Sequence, residues 1–546
     1  MSAAPKVSAS FRIQGQLVDI HRRRIFPAEV TIAAGRIARI DEIASAPNQW
    51  IIPGFVDAHV HVESSMLAPA EFARIAATHG TVATVSDPHE IANVLGAAGV
   101  RYMIEESRNA AIRIFYGAPS CVPATTFETA GAILDAAQVA ELLASPEVYY
   151  LSEVMNFPGV LAGDPELIAK IRAAQSLGKP VDGHAPQLRG EAAKQYAAAG
   201  ITTDHECSTL AEAMDKLAAG MKILIREGSA ARNFEALQPL LFSHPDSCMF
   251  CTDDAHPDAL LLGHINRLVR RAVAAGLDPI TALQIACRNP VEHYRLPIGL
   301  LRENDSADFV IVENLQTFRA LQTYVAGQLV AEVGNPVWPY RSPKRPNAFH
   351  AQPVSPSDFP LPSGGGSVRV IAVDDGQLVT RSEEVTMDEV RIDVEQDLLK
   401  IVVVNRYHPA PAAVGLIRNF GLKAGAIASS VAHDSHNLVA VGTNDEDLSR
   451  ALNRLIEQRG GVCAVNGDRE QSLALPIAGL MSDLPATEVG AAYAQVEAFA
   501  KELGSPLRAP LMTLSFMALL VIPELKLSDR GLFDGRKFEL VPLLTA

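Results

Sequence analysis

Cysteine is scarce in this sequence, with six in 546 residues. Such sparse use is typical of proteins that stay in a reducing compartment. Cys248 and Cys251 have the spacing of a metal-binding or redox pair, but no second pair exists. Because the run between them is typical of the interior of a strand, we interpret both as buried thiols.

Long apolar segments are also missing. The first ten residues contain no apolar core of a signal peptide. The longest late uncharged stretch, 509–523, contains Thr513 and Ser515 and ends at a proline. It is shorter than the roughly 18 apolar residues that a membrane-spanning helix needs. We expect a cytoplasmic protein without a membrane partner, in which this stretch lies in the core.

Positive charge is in deficit. The chain has 47 Lys and Arg against 62 Asp and Glu, which gives a net charge of −15. Surfaces that bind nucleic acids need clustered Lys and Arg, so we expect no nucleic-acid partner. The combined H-x-E and P-C-x-x-C signature of nucleic-acid-editing zinc deaminases is absent as well. Charge and motifs therefore argue against a nucleic-acid-binding or nucleic-acid-editing protein.

What the chain does have is ordinary globular composition, with 48% apolar and 20% charged residues, and more length than one core needs. From residue 51 onward, strand-like segments alternate with helix-like ones. Eight strand-like segments can be distinguished, at 51–56, 81–87, 113–117, 148–154, 180–184, 201–205, 221–225 and 247–252. Such alternation predicts a parallel sheet, and eight units in about 240 residues predict a (β/α)8 TIM barrel over 51–294. A doubly wound sheet is the competing architecture, but no G-x-G-x-x-G follows the first strand.

Both flanks of the predicted barrel have strand-like sequence. Residues 1–50 and 295–340 are predicted to pair into one small β-sandwich domain. Residues 341–367 are rich in Pro and Ser and contain three consecutive glycines, which is typical of a linker. Strands and then helices are predicted over 368–546, as a C-terminal α+β domain. The predicted fold class is therefore α/β, with a domain at either side of the barrel.

Two histidines close the first barrel strand. His59 and His61 follow the apolar segment 51–56, and residues two apart in an extended chain share a face. Imidazole is a common ligand for Zn, Fe and Ni. An isolated pair of this kind is more often one core and one surface histidine, so the prediction of a metal site depends on the other strand ends.

Further ligand-type residues stand where other strands end. They are Glu153 (strand 4), His184 (strand 5), His205 (strand 6) and Asp253 (strand 8). Each alone could be structural, but chemistry in a TIM barrel takes place at this end of the strands. Six N and O ligands exceed what one tetrahedral zinc needs and predict two bridged metal ions. The absence of thiolate favours Fe(II), Mn(II) or Zn(II), and Asp253 could act as ligand and proton carrier together.

The first-strand motif, 53–61 (PGFVDAHVH), resembles that of the amidohydrolase superfamily of metal-dependent barrel hydrolases. Many binuclear members bridge their metals with a carboxylated lysine on strand 4, where this sequence has Glu153. That departure is similar to the adenine deaminase family of bacteria. The matching barrel stretches are 61–66 (HVESSM), 86–94 (SDPHEIANV), 153–156 (EVMN), 182–186 (DGHAP), 203–206 (TDHE) and 251–254 (CTDD). The match continues at 429–437 (SSVAHDSHN), 475–482 (LPIAGLMS) and 523–533 (PELKLSDRGLF), so it covers nearly the whole chain.

The resemblance implies hydrolysis of adenine to hypoxanthine and ammonia, a step of purine salvage and adenine catabolism. It implies two divalent metal ions, with Mn(II) or Fe(II) favoured over Zn(II), and we also expect a homo-oligomer. The implied ligands are His59, His61, Glu153, His184, His205 and Asp253. In the implied reaction, a hydroxide bridging the metals attacks the purine carbon that bears the amino group. Glu153 is then the bridging carboxylate, and Asp253 carries the proton to ammonia.

Other residues keep two interpretations. Asp87 and His89, where strand 2 ends, form either a structural turn or an accessory metal site, and Glu90 beside them could contact substrate. From their positions at the ends of strands 6 and 7, Glu206 and Arg226 could hydrogen-bond purine nitrogens. His433 and His436 are by default solvated loop histidines, although their loop could cover the pocket and exclude water.

Three alternatives to this function are weighed. A cyclic-amide hydrolase or deacetylase would use the same metals, but such relatives typically carry the bridging lysine that Glu153 replaces. A related aminopurine could also be the preferred substrate. A catalytically inactive scaffold is disfavoured because all six ligand residues are present.

Overall fold

The computed structural model describes residues 10–229 and 231–545, and its first element is an antiparallel sheet. The strands are β1 (Phe11–Asp19), β2 (Arg24–Ala33), β3 (Arg36–Glu42) and β4 (Trp50–Pro53), with β4 parallel to β1. Gly54 separates β4 from the first barrel strand. A side chain at this position would collide with Val82, so only glycine fits here. The single strand predicted over 51–56 is therefore wrong: its first half belongs to this sheet and its second half begins the barrel.

In the described part of the barrel, 54–229 and 231–296, the chain forms eight parallel strands and thirteen helices. The strands are β5 (Phe55–Val60), β6 (Thr81–Ser86), β7 (Arg113–Ala118), β8 (Val148–Val154), β9 (Val181–Gly183), β10 (Thr203–Asp204), β11 (Lys222–Arg226) and β12 (Cys248–Cys251). The helices are α1 (Pro69–Thr78), α2 (His89–Leu95), α3 (Ala97–Ser107), α4 (Ala136–Ala144), α5 (Phe157–Ala162), α6 (Pro165–Ser176), α7 (Gly190–Ala198), α8 (Leu210–Ala218), α9 (Phe234–Ser243), α10 (Pro257–Leu262), α11 (Ile265–Ala274), α12 (Pro279–Leu283) and α13 (Asn289–Tyr294). A π-helical turn, Gln284–Arg288, joins the last two helices.

The eight strands close on themselves. β5 to β9 form one continuous arc and β10 to β12 another. The arcs meet where the Thr202 N–H donates to the Val181 carbonyl at 2.8 Å. At the other seam, the His61 N–H donates to the Asp253 carbonyl and the Asp253 N–H to the His59 carbonyl, at 3.1 and 3.0 Å. The predicted (β/α)8 barrel is confirmed.

After the barrel the chain returns to the first sheet. Its strands are β13 (Phe309–Val312), β14 (Ala320–Val325), β15 (Gln328–Glu332) and β16 (Asn335–Pro336). β13 pairs with β4 in antiparallel register, so the sheet order is β16-β15-β14-β13-β4-β1-β2-β3. Both flanks of the barrel therefore build one sheet.

The segment 341–365 contains no strand and one 3-10 turn, Pro356–Asp358. Its composition predicted a linker, and the structure shows that it packs against the C-terminal domain. Phe359 is fully buried there. The His350 N–H donates to the Arg406 carbonyl, and the Pro346 carbonyl accepts from the Ala478 N–H, both at 2.7 Å.

The C-terminal domain is rich in strands. They are β17 (Gly366–Ala372), β18 (Arg381–Met387), β19 (Leu398–Val404), β20 (Ala413–Arg418), β21 (Ala426–Ser429), β22 (Leu438–Gly442), β23 (Gly461–Asn466), β24 (Arg469–Ala474), β25 (Leu525–Ser528), β26 (Gly531–Asp534), β27 (Glu539–Leu540) and β28 (Leu544–Thr545). Its helices are α14 (Asp445–Gln458), α15 (Ala486–Glu502) and α16 (Pro510–Ser515). β17 to β24 and β28 form a nine-stranded sheet, and β25 to β27 a small second one. One apolar core runs from α1 of the barrel into α15 and α16, so the domain is packed against the barrel.

The cysteines and the late apolar stretch are both interior. All six cysteines are free and buried, which confirms the interpretation of Cys248 and Cys251 as buried thiols. The stretch 509–523 contains α16 and the 3-10 turn Phe516–Ala518, and most of its residues are buried. Among the residues described, no helix has the length and apolarity that crossing a membrane requires.

Candidate active site

The barrel brings all six predicted ligand residues together at one end. They are His59 within β5, His61 directly after it, Glu153 within β8, His184 and His205 directly after β9 and β10, and Asp253 shortly after β12. All six are buried. Because the carboxyl ends of parallel barrel strands point to the same mouth, residues far apart in sequence become neighbours there.

Three of these side chains face one point. The Nε2 atoms of His59 and His61 are 3.2 Å apart. Oδ1 of Asp253 lies 3.4 Å from the first and 3.3 Å from the second. Nδ1 of His61 is 3.1 Å from the carbonyl oxygen of Asp87. Donation from Nδ1–H to that carbonyl leaves a lone pair on His61 Nε2, which is the form of imidazole that binds a cation.

Glu153 lies between the two groups of histidines. Its Oε2 is 2.8 Å from His184 Nδ1 and 3.0 Å from His205 Nε2. Its Oε1 is 3.3 Å from His61 Nε2. The two oxygens of one carboxylate therefore face both halves of the cluster, which is the arrangement that a bridging ligand requires.

The cluster fits divalent metal ions. His59, His61 and Asp253 place three ligand atoms within 4.8 Å of one another, and His59, Glu153 and His205 do the same. The Nδ1 atom of His59 is buried and has no hydrogen-bond partner among the described residues, so protein contacts alone do not satisfy this ring. The donors are nitrogen and oxygen without sulfur, which suits Mn, Fe and Zn.

The charge states of the carboxylates agree with such a role. Burial acts to raise the pKa of Glu153, but His184 and His205 outweigh it and hold that pKa well below its ordinary value. Burial is also outweighed at Asp253, where the adjacent Arg226 is the strongest influence lowering the pKa. Both side chains are therefore anionic.

Arg226 and Glu206 lie beside Asp253. Arg226 Nη1 makes close contacts with Glu206 and with Oδ2 of Asp253, and its Nη2 donates to Glu206 Oε2 at 3.2 Å. Oε1 of Glu206 also lies 3.6 Å from Nε2 of His205. Arg226 thus holds two acidic groups on the side of the cluster where β10 and β11 end.

Asp87 and His89 form an adjoining pair. Oδ2 of Asp87 lies 3.1 Å from His89 Nδ1, and its Oδ1 accepts from the Ser152 hydroxyl at 2.7 Å. The same His89 nitrogen is 3.3 Å from Oε1 of Glu153. These side chains could share a cation with His61 and Glu153, since the four ligand atoms lie within 4.8 Å of one another.

A loop of the C-terminal domain reaches this site. Residues 430–437, the connection from β21 to β22, carry His433, Asp434 and His436, and these three are at most 3% exposed. The default interpretation of His433 and His436 as solvated histidines is wrong, because their loop covers the barrel mouth. The two histidines contact the two oxygens of Glu90 instead of water. Two histidines and an aspartate between two apolar strands were the sequence signal for this contact.

The cavity at the mouth has walls from both domains. It encloses about 340 Å³, including space open to solvent, and several of the polar residues above line it. The C-terminal domain contributes an apolar wall, consisting of Leu378, Phe516, Leu519 and Val521. One apolar wall that faces a polar floor suits a small heterocycle.

A buried lysine, which sequence reasoning missed, holds the loops that carry two of the ligands. Lys216 of α8 donates to the Ala185 carbonyl at 2.6 Å, next to His184. Its Nζ is also 2.9 Å from Asp204, next to His205, and 3.1 Å from Glu212. Its position within an amphipathic helix gave no signal, because most lysines there are solvated.

Two family models match the chain. The model described as the amidohydrolase family covers residues 50–330. The model described as the adenine deaminase C-terminal domain covers residues 377–539. Together they span the barrel, the returning strands and most of the C-terminal domain.

Curated relatives match over nearly the full length. A protein of Salinibacter ruber named adenine deaminase is 55% identical, over 98% of this chain and 99% of its own. Proteins with the same name from a Sulfurovum species and from Methanosarcina mazei are 52% and 48% identical, each over 97% of this chain and 99% of their own. The protein therefore belongs to the adenine deaminase family.

Proposed function

We propose that this protein hydrolyses adenine to hypoxanthine and ammonia as a soluble cytoplasmic enzyme of purine salvage. The observation that carries the proposal is Glu153, whose carboxylate lies between two groups of buried imidazoles at the barrel mouth. The names of the relatives supply the substrate. In the reaction the oxygen of water bonds to the ring carbon that bears the amino group, and the bond to that amino group breaks.

The six clustered residues would hold two divalent ions, Mn(II) or Fe(II) by preference and Zn(II) as the third candidate. The ligand set is His59, His61, Glu153, His184, His205 and Asp253. When bound, such ions supply Lewis acidity that lowers the pKa of water. Asp87 and His89 are the proposed positions of an accessory ion.

Asp253 is the proposed proton carrier. Its carboxylate is ionised beside Arg226 and lies among the imidazoles that surround the reacting atoms. It accepts a proton from water and delivers that proton to the departing amino group, which leaves as ammonia. Glu206 and Arg226 are the proposed direct contacts to the purine ring, Glu90 is proposed to act on the ring indirectly, and we infer a homo-oligomeric assembly.

The test is ammonia and hypoxanthine formation from adenine by purified protein, first without metal and then with Mn(II), Fe(II) or Zn(II). We expect turnover only with metal, and elemental analysis should find two ions per chain, or three where the accessory position is also filled. Glu153→Gln should lose both metal and activity, because a neutral amide cannot bridge two cations. Glu141→Gln is the matched control, since Glu141 has a side chain 70% exposed on α4.

Absence of adenine turnover in every metal-loaded form, with two ions bound, would contradict the substrate. Cyclic amides and other aminopurines would then be assayed on the same preparations. Full activity of Glu153→Gln with two ions bound would contradict the bridging carboxylate.

A further inference from the structure

Glu90 is the point at which the C-terminal domain meets the barrel site. It is buried in the first turn of α2, and its two oxygens face different histidines of the 430–437 loop. Oε1 lies 2.6 Å from Nδ1 of His433. Oε2 is in close contact with Nε2 of His436.

The loop is held in place from both sides. Within the C-terminal domain, the Ser430 hydroxyl donates to the Gly479 carbonyl at 2.6 Å. From the barrel side, Glu128 accepts from the Ser435 hydroxyl at 2.5 Å, and the Asn437 amide donates to the Thr129 carbonyl at 2.9 Å. The position of His433 is therefore fixed by contacts that do not involve Glu90.

The backbone fixes the tautomer of His436. Its Nδ1 accepts a hydrogen bond from the Ala432 N–H at 3.2 Å, so the neutral ring carries its proton on Nε2. That protonated nitrogen lies in close contact with Oε2 of Glu90. A nitrogen that carries a proton cannot bind a cation, so the contact between Glu90 and His436 is not a further metal site.

One ring nitrogen of His433 does not face Glu90. Donation from Nδ1–H to Glu90 uses one ring nitrogen and leaves Nε2 for another partner. The ring stacks on Phe516, with centroids 4.8 Å apart and planes 21° from parallel. His433 also lines the cavity at the barrel mouth.

We propose that the C-terminal domain supplies a specificity-determining residue, His433, which Glu90 orients and whose Nε2 hydrogen-bonds a ring nitrogen of the bound purine. Glu90 acts on substrate through His433 and is a positioning residue. This inference rests on the proposed deaminase function and names a contact within that same site.

The charge of His433 decides which atoms it can recognise. Burial acts to lower its pKa, but Glu90 outweighs burial and raises the pKa to about 9. The ring is then an imidazolium near neutral pH, and Nε2–H is a donor. The ring acceptors of adenine that lie away from the reacting carbon are N3 and N7, so His433 binds one of these two.

The test uses 3-deazaadenine and 7-deazaadenine as competitive inhibitors of the metal-loaded protein, because each analogue lacks one of the two acceptors. In the unsubstituted protein we expect the two inhibition constants to differ by about tenfold or more, the size of a hydrogen bond to a charged group. In His433→Ala the two constants should agree within about twofold. His433→Gln, whose amide nitrogen can occupy the position of Nε2, should restore part of the difference, and Glu90→Gln should reduce it.

His350→Ala is the matched control, because it also removes a histidine ring, but from an exposed position outside the 430–437 loop, and it keeps the backbone N–H that donates to Arg406. Its ratio of inhibition constants should equal that of the unsubstituted protein. Metal content is measured in every variant and should equal that of the unsubstituted protein.

A tenfold ratio that persists in His433→Ala would overturn the inference, and so would equal binding of both analogues to the unsubstituted protein. Either result could occur while adenine is deaminated normally, in which case the proposed function stands. Failure of the unsubstituted protein to deaminate adenine would instead remove the proposed function and this inference together.

Discussion

At the residue scale, Asp253 contacts opposite charges through its two oxygens. Oδ1 faces His59 and His61, while Oδ2 contacts Arg226. Arg226 therefore keeps the carboxylate ionised without occupying the oxygen that faces the imidazoles. A neutral amide would preserve the shape of this side chain but could not take up a proton.

We expect Asp253→Asn to lower kcat for adenine by roughly 10²- to 10⁴-fold, the range for loss of a positioned proton carrier. The measurement is steady-state ammonia release, with metal content determined on the same samples. Asp164→Asn is the control, because Asp164 caps α6 and asparagine caps a helix equally well. If the Asp253→Asn variant retained normal kcat, another group would have to carry the proton.

The ligand residues could be predicted from sequence because each stands at the end of a β-strand, and barrel topology brings strand ends together. The partners of Glu90 could not be predicted in this way. His433 and His436 come from another domain, and no local pattern encodes the pairing of a barrel turn with a distant loop. Lys216 was missed for a related reason, since only the fold shows that its helix position is buried.

At the element scale, α8 fixes the loops that carry His184 and His205. Lys216 is fully buried and joins α8 to the loops after β9 and β10. Burial acts to lower its pKa, but Asp204 and Glu212 outweigh burial and raise it. Both carboxylates would remain buried without a cation if the lysine were removed.

We expect Lys216→Met to destabilise the protein by about 3–5 kcal/mol, the cost of breaking a buried ion pair by removing one partner. The measurement is the midpoint of urea unfolding. Lys194→Met is the control, because Lys194 on α7 has a side chain 62% exposed and an exposed partner. Equal midpoints for the two variants would contradict a supporting role for Lys216.

The connection between β7 and α4 also supports the site, because its Glu128 contacts the 430–437 loop. Its Glu128 accepts from the Thr125 hydroxyl at 3.0 Å and from Ser435 of the C-terminal domain. Burial, followed by the charge of Asp434, raises the pKa of Glu128 from 4.5 to about 8. The folded state thus keeps a proton that the unfolded chain releases, so this carboxyl lowers stability as the pH rises from 4.5 to about 8.

We expect Glu128→Gln to weaken that pH dependence, because the amide is neutral at every pH. The melting temperature of the variant should fall less between pH 4.5 and 8 than that of the unsubstituted protein. Glu141→Gln, exposed on α4, should keep the original dependence. Parallel curves for Glu128→Gln and the unsubstituted protein would show that Glu128 ionises normally in the fold.

The boundaries of strands and helices could be predicted where the sequence pattern was strong. They could not be predicted where a single residue sets the boundary. β7 and β8 lie where the strand-like segments 113–117 and 148–154 were predicted. The break at Gly54 depends on the position of Val82, which only the folded structure reveals. The short helices α2, α5 and α10 escaped prediction because six or seven residues are too few to show a helical period.

At the scale of the whole molecule, the ligand cluster is a source of stability as well as chemistry. Four imidazoles and two carboxylates are buried within one small region. Bound cations would stabilise the folded state by mass action, by about 4 kcal/mol at a thousandfold excess over the dissociation constant.

We expect chelation to lower the melting temperature of the protein and Mn(II) to restore it. Differential scanning calorimetry on chelated and reloaded samples measures the shift. Glu153→Gln should show a much smaller shift, because its site holds metal poorly. A melting temperature that does not respond to chelation, in protein shown to have lost its metal, would separate metal binding from folding stability.

The docking of the C-terminal domain also sets an order of events during synthesis. Glu71 of α1 accepts from the Ala486 N–H at 2.8 Å, and the Thr129 N–H donates to Asp529 at 2.9 Å. The final strand, β28, pairs with β17 through Leu544 and Thr545. Domains fold largely in the order in which the ribosome releases them. The histidine cluster of the barrel is therefore translated before the 430–437 loop that lies over it. The cavity at the barrel mouth therefore receives its apolar wall only after residues far downstream of the barrel have been translated.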